Sequence, residues 1–155
     1  MAVNIPTQIN VSLSLKEVKC ISFSLTDYGK ENKTSIVAEN YEFELNLETS
    51  INENEKILVL KFTAKLFVKE KNAKHELAEL KSLTIFNVIN FNDIVIVAPM
   101  GRGFPDQILI ACSAIALSHT RGMYSVKLED TLYSNAIVPV VDGSLFLPKK
   151  PQQIG

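Results

Sequence analysis

The alternation of apolar and polar residues predicts four long β-strands in the first part of the chain. The four segments are residues 11–25, 41–49, 56–68 and 75–88. A period of two is typical of strands that bury one face and expose the other. Polar turn residues separate the last three segments. We therefore expect a four-stranded antiparallel meander with one apolar face and one solvated face.

The first of these strands contains a slip in its alternation. Its apolar residues are odd-numbered up to Leu15, the next is Val18, and Ile21 restores the odd-numbered phase. A slip of this kind within one strand is what a β-bulge produces. We therefore expect a bulge in this strand.

Residues 105–121 predict a long helix that is apolar almost all round. Pro105 suits the first helical turn, and Gly122 suits the C-terminal cap. One sheet face covers only part of such a helix, so the rest needs a second cover. In a chain of this size, another copy of the same chain is a plausible cover. We expect a homo-oligomer whose interface includes Leu109, Cys112 and Ile115.

The connection between the last strand and this helix, residues 89–104, is far more apolar than loops usually are. Its large apolar residues are Phe91, Ile94, Val95, Ile96, Val97, Met100 and Phe104. Exposed apolar residues in such a number mark a surface where another chain binds. The alternative is that they cover the end of the sheet and form part of the core. The sequence leaves both interpretations open.

Composition and charge indicate an ordinary globular protein of 155 residues, which we take as a single domain, residues 1–155, with residues 148–155 as a mobile tail. A net charge of −1 gives no electrostatic reason to expect nucleic-acid binding. Cys20 and Cys112 form no CxxC pair, which favours a reducing compartment, although one disulfide stays open. The N-terminus has no signal-peptide pattern, and the longest apolar run is too short to span a membrane. We expect a cytoplasmic protein.

The sequence contains no pattern that is typical of a catalytic or metal site. The two histidines lie far apart in sequence, and no Cys, His and Asp spacing matches a metal site. Cys112 lies among apolar residues and is better read as a core residue than as a nucleophile. The glycines around Arg102 favour a flexible joint over a phosphate loop, because the Lys-Ser/Thr of that motif is missing. We expect no enzyme activity, no metal and no cofactor.

Four local sequences resemble the SecB family of export chaperones, and the resemblance covers about residues 9–146. They are Lys19-Cys20-Ile21-Ser22-Phe23, the segment 79–86, Ser118-His119-Thr120-Arg121-Gly122, and Pro139-Val140 with Leu145-Phe146. The resemblance implies an α+β fold with a four-stranded antiparallel sheet and a long helix packed on it. It also implies a homotetramer, built as a dimer of dimers with helices at the interface.

The resemblance further implies a chaperone that holds non-native polypeptides in an apolar groove beside the strand-to-helix connection. The matching client-binding positions are Phe86, Phe91, Ile94, Ile96, Met100 and Phe104. Ile85 and Val88 also match, but for these two we favour a place in the core. Flexible apolar surface can adapt to many unfolded segments without reading their sequence.

The same resemblance implies a surface for the export ATPase SecA, with Leu77 and Glu79 at matching positions. Cys20 and Ser24 stand where the family usually has acidic residues, and the nearly neutral chain would steer a basic partner weakly. These departures favour a variant that serves one dedicated client, as do SecB-like chaperones paired with toxin–antitoxin systems. The alternative from another class is an adaptor that binds one folded partner.

Overall fold

The computed structural model describes residues 12–31, 38–98 and 101–147. Its main feature is a four-stranded antiparallel sheet with one long helix packed across it, as the sequence predicted. The strands are β1 (Leu13–Leu25), β2 (Tyr41–Asn52), β3 (Ile57–Glu70) and β4 (Ala73–Val88). A short helix, α1 (Tyr28–Glu31), and a 3-10 turn, Ala38–Asn40, lie between β1 and β2.

The order of the strands is β1-β4-β3-β2, so the expected meander is wrong at its first step. β1 pairs with β4 at one edge of the sheet, and β2 is the opposite edge. The tight turns after β2 and β3 keep those strands next to each other in space. The connection from β1 to β2 is much longer, which allows β1 to pair elsewhere.

β1 contains two irregularities, one on each side of Val18. The register with β4 shifts once between Leu15 and Glu17 and again between Cys20 and Ser22. Each extra residue restores the phase, so the residues opposite the helix-facing side of β4 are all apolar. They are Leu13, Leu15, Val18, Cys20, Phe23 and Leu25. The predicted bulge is therefore confirmed, but as two shifts in place of one.

The connection predicted as irregular is partly ordered. It holds a short helix, α2 (Phe91–Ile94), and a small hairpin of β5 (Ile96–Ala98) and β6 (Gly101–Gly103). Phe91 and Ile94 are buried, and the ring of Phe91 meets that of Phe104 edge to face at 5.6 Å. The apolar character of this connection therefore comes in part from packing in the core.

The long helix, α3 (Asp106–Leu128), continues well past the predicted end at residue 121. Gly122 is an exposed residue inside the helix, so its expected role as the C-terminal cap is wrong. The helix continues because its buried residues recur every fourth position beyond Gly122. Tyr124 and Leu128 extend this stripe, and the ring of Tyr124 meets those of Phe23 and Phe43 edge to face.

Residues 129–147 run back along α3 and end in a second 3-10 turn, Gly143–Phe146. The predicted tail, residues 148–155, lies outside the described residues. The assignment of the whole chain to a single domain stays a prediction. None of the helices in the described ranges is long and apolar enough to cross a membrane.

Candidate functional site: a cleft beside the β2 edge

The residues predicted to bind clients fall into two groups. Phe86, Phe91, Ile94 and Phe104 are at most 4% exposed and belong to the core of the single chain. Ile96 is 46% exposed, and Met100 lies outside the described residues. Ile85 is half-buried on the other face of the sheet, and Val88 is in the core. The client-binding role itself stays a prediction.

A cleft of about 650 Å³ lies between the end of β2 and the first turns of α3. Ile96 and Phe104, from the predicted set, are part of its lining. The other lining residues are Leu47, Thr49, Ser50 and Ile51 of β2, Gly101, Arg102 and Gly103 of β6, Asp106, Leu109 and Ser113 of α3, and Phe146 and Leu147. The lining is mainly apolar, with a few polar groups, which is typical of pockets that bind organic or peptide groups.

The β5–β6 hairpin covers one side of the cleft and is held by an ion pair. Arg102 Nη1 lies 3.1 Å from Glu53 Oε2 in the turn between β2 and β3. Both side chains are about half exposed, so this pair contributes little stability and can break when the hairpin moves. On the hairpin, Val97 is 85% exposed. The hairpin therefore presents apolar side chains on a weakly fastened support.

β2 offers free backbone groups along the same cleft. The N–H of Val88 in β4 donates to the carbonyl of Lys56, just before β3. The backbone groups of Lys56 therefore point toward β4, and this fixes which residues of β3 point toward β4 and which point toward β2. In an antiparallel sheet both backbone groups of one residue point to the same side, and the side alternates along the strand. Through the register of β2 with β3, the groups of Leu47, Thr49 and Ile51 point outward. In the part of the chain that the structure describes, they have no strand partner.

The side chains of these three β2 residues lie on the helix-covered face, because they pair with Phe62, Leu60 and Leu58. Those three partners are buried beneath α3. Residues at every second position of β2 thus combine an outward backbone with a side chain that lines the cleft. An extended peptide beside β2 would meet both features at once.

The underside of α3 contacts the sheet through two polar contacts that the sequence did not reveal. Ser82 Oγ lies 2.8 Å from Thr120 Oγ1, and Thr84 Oγ1 lies 3.2 Å from His119 Nδ1. Ser82, Thr84 and Thr120 are buried. The even-numbered positions of β4 carried a signal, since Ser82 and Thr84 interrupt an otherwise apolar face. The His119 side chain therefore contacts the sheet from within the helix.

The three residues predicted at the oligomer interface point in different directions. Cys112 is fully buried against the sheet, where burial raises the pKa of its thiol to about 11, so it gives no surface to another chain. Leu109 lines the cleft. Ile115 is exposed. It belongs to an outer face, made of Ala111, Ile115, Ser118, Gly122 and Ser125, whose spacings of four and three are typical of helix pairing.

The surface predicted for SecA differs from the expected one. Leu77 is completely buried. Glu79 lies on the open face of the sheet and forms ion pairs with Lys65 at 3.4 Å and Lys81 at 3.7 Å. Cys20 pairs with Ser82 and therefore lies on the helix-covered face, away from this surface. Of the two predicted residues, only Glu79 is accessible to a partner.

The rest of the open face also carries opposite charges in pairs. Glu42 contacts both Lys69 at 2.6 Å and Lys74 at 3.0 Å, and these hydrogen bonds lower the pKa of its carboxyl. Lys65 also faces Glu76 at 3.6 Å. A surface on which lysines and glutamates neutralise one another gives little long-range attraction for a basic partner.

Titratable groups form no evident catalytic site. Within residues 12–31, 38–98 and 101–147, no group of three or more His, Cys, Asp and Glu side chains could hold a metal ion. The lining of the cleft contains one carboxylate, Asp106, and no histidine or cysteine among the described residues.

The antiparallel sheet, the long helix across one face and the cleft beside the edge strand define a SecB-like α+β fold. The structure resembles that of Rv1957, a SecB-like chaperone of Mycobacterium tuberculosis, solved in complex with a ChAD peptide from the HigA1 antitoxin. The TM-score is 0.55 at 6% sequence identity, and the alignment covers 83% of this chain and 90% of that chain. At this identity the similarity shows the fold alone.

Other comparisons add nothing to this assignment. A protein of unknown function from Streptococcus agalactiae aligns over 86% of this chain and 99% of that chain, at 12% identity, with a TM-score of 0.37. No family model matches the chain, and no curated protein matches it.

Proposed function

We propose that this protein is a SecB-like chaperone that holds non-native polypeptides in the cleft beside β2. The observation that supports this proposal is the combination of an apolar cleft with a free strand edge. A client segment in extended form could pair its backbone with Thr49 and Ile51 and place alternate side chains in the cleft. Backbone pairing does not depend on client sequence, so it suits a protein that binds many unfolded chains.

In this proposal the client contacts are Ile96 and Phe104 from the predicted groove, together with Leu47, Ile51 and Leu109. Phe86, Phe91 and Ile94 support the site from the core and do not touch the client. Met100, which lies outside the described residues, stays in the proposal as an apolar client contact. No cofactor or catalytic step is part of the mechanism, and the protein acts in the cytoplasm.

A chaperone for one dedicated client is the second candidate. The observation that favours it is that the structural neighbour Rv1957 was solved with a peptide from an antitoxin. The charge-balanced open face points in the same direction, because it gives no reason to expect delivery to SecA. An adaptor for one folded partner is a third possibility, and it predicts that unfolded clients do not compete with that partner.

The proposal includes a homo-oligomer, a dimer of dimers that buries the outer face of α3. Ile115→Asp places a charge in that face, and we expect it to reduce the oligomer to smaller species, because a buried unpaired charge costs about 3–5 kcal/mol. Leu109→Asp is the matched control on the same helix. It should weaken client binding while the oligomer keeps its size. Light scattering after size exclusion measures both variants.

The direct test is to mix the protein with a chemically unfolded, aggregation-prone protein and to measure turbidity and co-elution. A tetramer that retains the unfolded protein and suppresses its aggregation supports the general chaperone. An oligomer that ignores the unfolded protein contradicts it and leaves the dedicated chaperone or the adaptor. Those two are then separated by whether the native partner is bound in unfolded or folded form.

A further inference from the structure

One wall of the cleft comes from the segment that follows α3. Phe146 and Leu147 line the cleft, and the ring of Phe146 meets that of Phe62 edge to face, with centroids 5.0 Å apart. This wall belongs to neither sheet of the described structure. Because no strand pairing holds it, its distance from the rest of the cleft depends on packing contacts, which are this ring contact with β3 and its contacts with α3.

The segment approaches α3 closely at Gly143. A Cβ atom at this position would lie 2.7 Å from the backbone oxygen of Ile110 and 3.3 Å from the Ile110 side chain. A distance below 3.0 Å to a backbone atom requires the wall or the helix to move. Gly143 begins the 3-10 turn that ends at Phe146. A displacement of the backbone at Gly143 would therefore also move Phe146, which lies in the same turn and lines the cleft.

The second contact is made by Arg121. Its Nε donates a hydrogen bond of 2.9 Å to the carbonyl of Val138, and Val138 is buried. This hydrogen bond joins the segment to α3 at a partly buried position, where its loss would leave the carbonyl without this donor. Arg121 was predicted to lie at the end of the helix, but it lies within α3 and fastens the wall to it.

We propose that Gly143 and Arg121 are positioning residues that set the width of the cleft, and thereby the size of the client side chain that it accepts. The proposal rests on the proposed function. Neither residue lines the cleft, so both act through the wall. Gly143 sets how closely the wall approaches α3, and Arg121 fixes the segment that leads to it.

The experiment compares two fluorescent synthetic peptides on the full-length protein. Both have apolar residues at alternate positions with serine between them, and they differ only in having Leu or Trp at one central position. We expect Gly143→Ala to change the ratio of the two dissociation constants by about tenfold, the effect of a small size mismatch in an apolar pocket. Arg121→Ala should change the same ratio, and Arg121→Lys, which keeps a donor, should restore it in part.

Ser144→Ala is the matched control, because Ser144 is exposed in the same turn and its side chain does not line the cleft. Its ratio should equal that of the unchanged protein. If Gly143→Ala and Arg121→Ala weaken both peptides equally, or leave both affinities unchanged, the positioning role is wrong. Should Gly143→Ala fail to fold, the Arg121 pair of variants decides alone.

Failure of the proposed function gives a different result. In that case the unchanged protein binds neither peptide and does not suppress aggregation, and the width proposal is overturned with it. If the unchanged protein binds the peptides and suppresses aggregation, but the variants do not change the ratio of the two dissociation constants, the chaperone proposal is supported and only the width proposal is wrong.

Discussion

The two edges of the sheet have opposite designs. β2 pairs with β3 without a break from Tyr41 to Asn52, so its outer side is a regular row of backbone groups. β1 is interrupted twice along its pairing with β4. Bulges twist an edge strand and make it a poor template for another strand. The cleft lies only beside the regular edge.

This difference indicates that the bulges of β1 have two structural roles. They keep the apolar side chains of β1 on the helix-covered face, and they protect that edge from unselective strand pairing. β2 lacks such protection where the cleft begins. In the proposed function, a sheet that is open at one edge and interrupted at the other would limit client binding to one place on the chain.

The largest expected effect is a loss of client affinity when a charge is placed on the β2 edge, and the same change on the β1 edge is the control. Ile51→Asp on β2 places a carboxylate in the cleft, and client affinity should fall about 100-fold, since an unpaired charge in an apolar site costs roughly 3 kcal/mol. Leu25→Asp makes the same change on the helix-covered face of β1 and should leave affinity unchanged. Fluorescence anisotropy with a labelled unfolded protein measures both. Equal losses would show that clients use both edges.

A smaller effect is expected when only the backbone changes. Thr49→Pro removes an outward N–H without breaking the pairing with β3, since proline is tolerated at such edge positions. Loss of one backbone hydrogen bond and its neighbours should weaken client binding about tenfold. The control is Leu15→Pro, an outward position on β1. Unchanged affinity for Thr49→Pro would remove strand pairing from the mechanism and leave only side-chain contacts.

Straightening β1 should change self-association more than client binding. Deletion of Ile21 removes the extra residue between Cys20 and Ser22 and keeps Cys20 and Phe23 on the same face. The edge then becomes regular from Glu17 to Leu25, although the shift between Leu15 and Glu17 remains. We expect larger assemblies at high concentration, because regular edges pair with one another. Sedimentation velocity measures the shift. A variant that stays at its original size would mean that the bulge serves side-chain register alone.

The smallest effect is expected from chemical modification at β1. Cys20 is partly exposed and Cys112 is buried, and with the Cys112 thiol pKa near 11 only about one in a thousand of these thiols is ionised at pH 8. Iodoacetamide should modify Cys20 alone, as judged by peptide mass spectrometry, with no loss of client affinity. Modification of Cys112 in the folded protein would contradict the placement of α3 on the sheet.

The sequence predicted the sheet well because alternation is a local signal. The six apolar positions of β3 from Leu58 to Val68 are all buried, as their period of two required. Prediction from the sequence failed where the structure depends on contacts between residues that are distant in sequence. Gly122 satisfied the local rule for a helix cap, but the contacts of Tyr124 with two strands extend the helix beyond it.

The site was harder to predict than the fold. Apolar residues such as Phe91 and Ile94 have the same sequence signature whether they bind clients or fill the core, and burial distinguishes the two. We propose that the width of the cleft depends on Gly143, but in the sequence the pair Asp142-Gly143 indicates only a turn. Its contact with Ile110 brings together residues distant in sequence.

The hydroxyl contacts beneath α3 limit how far the helix can move on the sheet. A helix on a wholly apolar sheet can slide by one turn at small cost. Here a slide would separate Ser82 from Thr120. Thr120 would keep its hydrogen bond to the carbonyl of Ala116, but the buried hydroxyl of Ser82 would lose this contact, which favours one position of α3 on the sheet. If the proposed function holds, adjustment to differently shaped clients falls to the hairpin and the C-terminal turn, while the sheet and α3 beneath them keep their shape.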